Sequence, residues 1–178
     1  IETFQDVSKR RLAEEALRNS ERRFRTLLDF VPYPIGVFTM EGFPIYLNPG
    51  FTKVLGWTLD DLEGRKIPFV PEEAKRETVE NLKRLYRDKI LVRHESRRLT
   101  KEGRVLDVAI RAAVFSESGE EPSGVIAIFR DITQEKRIAR INEAMLHISL
   151  ALPRYPNLED LLDYVNAEVK RLLNTEGC

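Results

Sequence analysis

Cysteine is almost missing from this chain: its 178 residues include one, Cys178, at the last position. An internal disulfide framework is thereby excluded, and such usage fits a reducing compartment, so a cytoplasmic location is the expectation. Histidine is nearly as scarce, with only His94 and His147. Two histidines and a terminal cysteine cannot assemble a Cys/His zinc site or a cysteine-based triad within one chain, and no metal site is expected. An excess of either charge is missing too, with 29 Lys+Arg against 29 Asp+Glu. A dedicated nucleic-acid binder usually carries a basic surplus, so nucleic acid is not an expected partner. The basic clusters Lys9-Arg10-Arg11, Arg22-Arg23 and Arg97-Arg98 lie beside acids and read as solvated helix and strand surface. Long apolar runs are absent: none approaches the roughly 18 residues of a spanning helix, so no membrane contact is expected. Ile1 to Arg11 turn basic without an apolar core, unlike a secretory signal.

What is present points to a folded chain. Hydrophobic residues make up 42% of it and charged residues 33%, more apolar than a disordered segment. The length allows one ordinary domain of about 100 to 150 residues and something extra.

The first thirty residues read as one helix. Ala13, Leu17, Ser20, Phe24, Leu27 and Val31 form a heptad-like seam, and Arg10, Glu14, Arg18, Glu21 and Arg25 charge the other face. Pro32 and Pro34 close it. Ile35 to Thr39 and Pro44 to Leu47 flank Glu41-Gly42 as an antiparallel hairpin. Asn48-Pro49 then sets a cap residue before a helix that stops at Gly56. Thr58 caps a second short helix, with Asp61 three residues on and Gly64 as its stop. Pro71 opens a longer helix with Ala74, Thr78, Val79, Leu82, Leu85 and Tyr86 on its apolar face.

The period then changes from helical to extended. Leu91 to Leu99, Arg104 to Phe115 and Gly124 to Ile132 read as three strands, separated by Thr100-Lys101-Glu102-Gly103 and by the loop from Ser116 to Pro122. The last run is apolar at every position from Val125 to Phe129, as a central strand covered on both faces would be. Two strands, several helices and three strands predict an α+β fold: a five-stranded antiparallel sheet with short helices on one face.

From Asp131 a second long helix begins, with Ile138, Ile141, Met145, Ile148 and Leu152 as a cleaner heptad seam. A third helix starts near Asn157, carries Leu158, Leu161, Leu162, Val165, Val169, Leu172 and Leu173 on one face, and runs out at Gly177. Phe4-Gln5-Asp6-Val7-Ser8 echoes Phe129-Arg130-Asp131-Ile132-Thr133, each read as a strand end before a charged helix. The echo suggests that the chain begins at the tail of a preceding copy of the same module.

These residues carry a resemblance. Ser20-Glu21-Arg22-Arg23-Phe24-Arg25 running into a strand, then Tyr46-Leu47-Asn48-Pro49-Gly50-Phe51 and Leu55-Gly56-Trp57-Thr58, resemble a PAS domain. The Pro71 helix, the Lys101-Glu102-Gly103 turn and Asp131-Ile132-Thr133 keep the order of that family. The tail from Asn157 to Cys178 resembles the first helix of a GAF domain. The implied organisation is a linker helix at 1–19, a PAS domain at 20–133, a signalling helix at 134–156 and the start of a GAF-like domain at 157–178.

The resemblance implies a module of a multidomain signalling protein, often a sensor histidine kinase, with any kinase or cyclase activity outside this chain. It implies that Asp131, Ile132 and Thr133 pass a signal from sheet to output helix, with Asp131 or Thr133 capping that helix and Ile132 anchoring it. The seam residues Ile138, Ile141, Met145, Ile148 and Leu152 predict a parallel homodimer through the flanking helices. His147 lacks the acidic residue and arginine that follow a phosphoacceptor histidine in the kinase family, so it reads as a seam-flanking residue.

Members of the family hold haem, flavin, chromophore or metabolite between sheet and helices. The long helix has no histidine for haem, and the segment from Asn48 to Gly64 has no cysteine for a light-sensing flavin adduct. The coumarate-binding type also needs a pocket cysteine. No cofactor is expected, with a non-covalent flavin or a small organic ligand left open. Candidate walls are Val37, Phe51, Leu55, Trp57, Phe69, Val79, Leu82, Val108 and Ile128, with Asn48, Tyr86 and His94 as polar contacts. Plain core is the favoured reading of these positions, because no convergent polar set stands out. The alternative function is a ligand-free dimerisation and spacer domain.

Overall fold

In the computed structural model, residues 2–116, 121–155 and 157–174 are described. The loop centre 117–120, the expected stop at Gly177 and the lone Cys178 lie outside them. The chain divides into two units, Ile1–Asp131 and Ile132–Cys178.

The first unit begins with helix α1 (Glu2–Phe30). Phe4 to Ser8 lie inside this helix, whereas Phe129 to Asp131 end a strand, so the strand-end context expected of the echo is not shared. Strands β1 (Ile35–Thr39) and β2 (Pro44–Leu47) form the hairpin, followed by α2 (Pro49–Leu55), α3 (Leu59–Leu62) and α4 (Glu72–Asp88). Strands β3 (Ile90–Leu99), β4 (Val105–Phe115) and β5 (Gly124–Asp131) complete a five-stranded sheet in the order β2-β1-β5-β4-β3, with every pair antiparallel.

Local chemistry sets the helix boundaries. The Asn48 side chain accepts from the Phe51 N–H to cap α2, and Gly56 ends that helix at φ 81°. Thr58 and Asp61 form a reciprocal capping box on α3. The Lys101 ammonium, 2.6 Å from Asp61, and the Thr58 hydrogen bonds hold the Asp61 carboxyl down at about 2. The stop of α3 falls at Glu63, in the left-handed region at φ 48°, one residue before the expected Gly64.

The core lies between the sheet and α2 to α4. Phe51, Phe69 and Phe129 form its aromatic centre, with ring centroids 5.8 to 6.2 Å apart. Burying each such ring contributes about 1.5 to 3 kcal/mol, to which tilted and edge-on packing adds. Strand β5 lies between β1 and β4 as expected of a central strand, but helices cover only one of its faces. Val125, Ala127 and Phe129 are buried while Ile128 is 37% exposed, which corrects the reading of a strand enclosed on both sides.

The second unit holds α5 (Thr133–Ala151), a 3-10 turn (Leu152–Arg154) and α6 (Leu158–Asn174). The two helices form a hairpin, with Tyr155 stacked on Tyr164 and His147 Nδ1 3.4 Å from the Arg171 guanidinium. His147 thus sits beside α6, with Glu168 at 3.9 Å. No helix among the described residues is long and apolar enough to cross a membrane.

Candidate ligand cavity

A cavity of about 270 Å³ lies under α4. Its floor comes from the sheet: Ile110 and Ala112 of β4, and Val125, Ala127 and Phe129 of β5. The period of two points these residues to one face, and the register places Ala112 directly opposite Ala127. A cross-strand pair of methyl groups fills less space than any larger pair would, and the volume above it stays open. Thr78, Leu82, Leu85 and Tyr86 of α4 line it from the helix side, and Phe69 lines it as well. Open volume borders the core here because two alanines stand where the sheet could have carried branched side chains.

Convergent polar groups, which do not stand out in the sequence, come chiefly from β3. A bulge between Leu91 and His94, with Arg93 at φ 33°, resets this edge strand against β4. Beyond it His94, Ser96 and Arg98 alternate onto the inner face; Ser96 and Arg98 are buried and His94 is half-buried. His94 Nε2 lies 2.8 Å from the Asn81 amide nitrogen and also meets a Glu77 carboxylate oxygen. One ring nitrogen satisfies one of them at a time: its lone pair accepts from the amide, or its N–H donates to the carboxylate. Asn81 also donates to the Glu77 carbonyl at 2.9 Å.

Arg98 is the outlying group. It is 5% exposed and lines the cavity, although the pair Arg97-Arg98 reads as solvated surface in the sequence. Its guanidinium donates to Ser96 Oγ at 3.0 Å and to the Arg97 carbonyl at 2.7 Å, and it lies 5.3 Å from the centre of the Phe69 ring. Its Nε is buried with no partner among the described residues. Burial pulls its pKa down to about 10, against a smaller opposing effect of Glu77. A buried cation satisfied mostly by neutral oxygens is costly, on the order of several kcal/mol before compensation. Thr78 Oγ1, on the facing helix, is likewise buried without a partner.

The residues expected to form the pocket separate into two groups. Phe69, Leu82, Tyr86 and His94 line the cavity. Tyr86 donates its hydroxyl to the Met40 carbonyl at 2.8 Å, and burial raises its pKa. Val37, Asn48, Phe51, Leu55, Trp57, Val79, Val108 and Ile128 do not line it. Phe51, Leu55 and Val108 are core, Val79 is 51% exposed on α4, and Trp57 packs against the core margin with its indole N–H unpartnered. Missed by sequence reasoning were Arg98, Thr78 and Asn81. The alternation of His94, Ser96 and Arg98 along a strand was the signal that could have found the first.

Asn48 is a structural residue. Its Oδ1 accepts from the Ile35 and Phe51 N–H groups at 2.8 and 2.9 Å. Its Nδ2 donates to the carbonyls of Leu28, Val31 and Tyr33 at 3.0 to 3.2 Å. This one fully buried amide binds the end of α1 and the segment after it to β1 and to the start of α2. Gly50 completes the joint, since an added Cβ would stand 2.8 Å from the Tyr33 carbonyl oxygen. Nearby, Tyr46 donates to the Asp29 carboxylate, and burial together with that acid raises its pKa.

At the other end β5 finishes at Asp131 and α5 starts at Thr133. The cap position belongs to Ile132, not to Asp131 or Thr133 as expected, and Ile132 is buried. Along α5, Ile138, Ile141 and Met145 are 43% to 62% exposed and Ile148 is half-buried, and Leu152, in the 3-10 turn that follows, is exposed. Among the described residues no group of His, Cys, Asp and Glu could hold a metal ion.

Comparison with known proteins agrees with this geometry. The family model described as PAS fold matches residues 28–137. The chain is similar to the methyl sulfide methyltransferase-associated sensor of Methanosarcina acetivorans, at 23% identity over 92% of this chain and 17% of that protein. It is 30% identical to the virulence sensor protein BvgS of Bordetella bronchiseptica over 75% of this chain and 11% of that protein. Among solved structures, the PAS domain of an HTR-like protein from Haloarcula marismortui aligns with a TM-score of 0.54 at 26% identity, over 70% of this chain and 99% of that one. The chain spans less than a quarter of the length of these curated relatives.

Proposed function

This chain belongs to the PAS fold family, and from that premise we propose that it is a sensory relay module of a larger signalling protein. The observation that carries the reading is one of continuity. Val125, Ala127 and Phe129 of β5 line the cavity, and the same strand leads through Ile132 into α5 with no loop between. A ligand that moves β5, or a displacement arriving along α1 through the Asn48 joint, acts on the base of α5. The output is the pairing of α5 with α5 of a second copy. Its exposed stripe of Ile138, Ile141, Met145 and Leu152 supports this, as does the exposure of Leu12, Leu17, Phe24, Leu27 and Phe30 on α1. Isolated helices of this kind are marginal in water without a partner for their apolar face.

A cavity of about 270 Å³ falls just below the usual range for drug-sized ligands, so a small organic molecule suits it better than a flavin. Kinase chemistry, where the full-length protein has it, lies beyond this chain, and α6 opens the next, GAF-like domain.

A double substitution, Ile141→Asp with Ile148→Asp, is expected to convert a dimer to a monomer in light scattering. The relay is tested by filling the cavity with Ala127→Leu. Spin labels at Glu143→Cys in a Cys178→Ser background are expected to report a changed distance between the two α5 helices. An unchanged distance distribution in a folded variant refutes the relay and leaves the ligand-free spacer.

A further inference from the structure

We propose that the cavity recognises a small organic monoacid, its carboxylate paired with Arg98 and its apolar body lying among Phe69, Leu85, Ile110 and Phe129. The proposal rests on the sensory reading of the cavity and adds the chemical class of the ligand.

The argument begins from what Arg98 lacks. Its side chain is withdrawn from water, yet its recorded hydrogen bonds go to a hydroxyl and a carbonyl, neither of which carries charge. The acid nearest to its purpose, Glu77, directs its carboxylate at His94 instead. A guanidinium is a rigid fork matched to the two oxygens of a carboxylate, so an acid is the partner that this geometry suits. Arg98 and Thr78 both line the cavity, and the Nε of one and the hydroxyl of the other are buried without a partner among the described residues. One observation lies on a strand and the other on a helix, and both leave a donor without an acceptor.

The remaining walls set the rest of the molecule. Phe38, Phe69, Leu82, Leu85, Ile110 and Phe129 give them a largely apolar surface, which suits a hydrocarbon or phenyl body, beside polar groups such as Asn81 and His94. The other cation of the lining, Lys66, is exposed and lies 5.2 Å from the Phe43 ring, so water already solvates its charge. A buried guanidinium calls for one negative charge. A phosphate would bring more charge than Arg98 alone offsets. The small volume favours a body about the size of one ring.

The test uses the full chain and matched pairs of probes: straight-chain carboxylates from butyrate to octanoate, benzoate and 3-phenylpropionate, each with its primary amide. Binding is followed by titration calorimetry and by methyl NMR signals of Leu85 and Ile110. At least one acid is expected to bind at least tenfold more tightly than its amide. Arg98→Met is expected to abolish that preference, and Thr78→Val to weaken the acid by about threefold to tenfold. Arg98→Lys, which keeps charge without the fork, is expected to recover part of it. The proposal is overturned if amides bind as well as acids, if acid binding survives Arg98→Met, or if inorganic phosphate outcompetes every acid. It is also overturned if no acid binds the folded wild type at millimolar concentration. Failure of the sensory reading shows separately: acid bound through Arg98 while the α5 distances stay fixed would retain this inference and refute the relay.

Discussion

Asn48 and Arg98 are both buried polar residues, one at each side of the same domain, and their circumstances are opposite. Asn48 has partners for both its carbonyl oxygen and its amide, all of them backbone groups. Arg98 bears a full charge, keeps a buried nitrogen without a partner and borders a cavity. A satisfied buried group holds a fold together, because removing it exposes several unmet hydrogen bonds at once. An under-satisfied one weakens the fold, and its position next to open volume indicates a use for the unmet bonds.

The sharpest way to break this contrast is Asn48→Asp. The substitution keeps the acceptor oxygen but turns the other atom from a donor into a second acceptor that faces three carbonyl oxygens. We expect a loss of about 3 to 5 kcal/mol in urea unfolding at pH 7. The loss should shrink at acidic pH, where the introduced carboxyl takes a proton and can donate again. A loss under 1 kcal/mol at neutral pH would remove Asn48 from its structural role.

Arg98→Met should act in the opposite direction, raising stability by about 1 to 2 kcal/mol in acid-free buffer, since an uncompensated buried cation is exchanged for an apolar chain of similar reach. The sign of its pH dependence follows from burial. With the native pKa pulled down to about 10 from 12.5, the charge weakens the native state at all lower pH. The difference between wild type and Arg98→Met should therefore persist through neutral pH and narrow only as pH rises past 10. A destabilised Arg98→Met protein would mean that the guanidinium is structural, like Asn48.

Tyr46→Phe is the mildest change. It removes one hydrogen bond, to Asp29, beside the Asn48 joint. About 1 kcal/mol is expected. The effect should be local, with faster amide exchange at the end of α1 and little change near β3. Uniformly faster exchange would show that the joint and the cavity form one cooperative region.

The helix caps at Asn48 and Thr58, the hairpin and the order of strands and helices were legible because each rests on neighbours in sequence. The identity of the cavity lining was poorly legible. Val79 and Leu82 lie on one apolar run of α4, yet only Leu82 reaches the cavity, since the run is wider than the face that the sheet covers. Asn48 read as a possible ligand contact because a cap residue and a pocket residue look alike until their partners are known. Arg97 and Arg98 are adjacent in sequence and point to opposite faces of β3, so a charged pair on paper became one surface residue and one buried one.

What the amino-acid order determined by itself, then, is the family, the architecture and the two apolar helix stripes, all products of local periodicity and turn chemistry. The tertiary structure alone decided where space remains and which charge borders it. Open volume depends on Ala112 meeting Ala127 across β4 and β5, and the fate of Arg98 depends on a bulge that sets the inward face of β3. Both are matters of register between segments distant in sequence, and no local pattern encodes them.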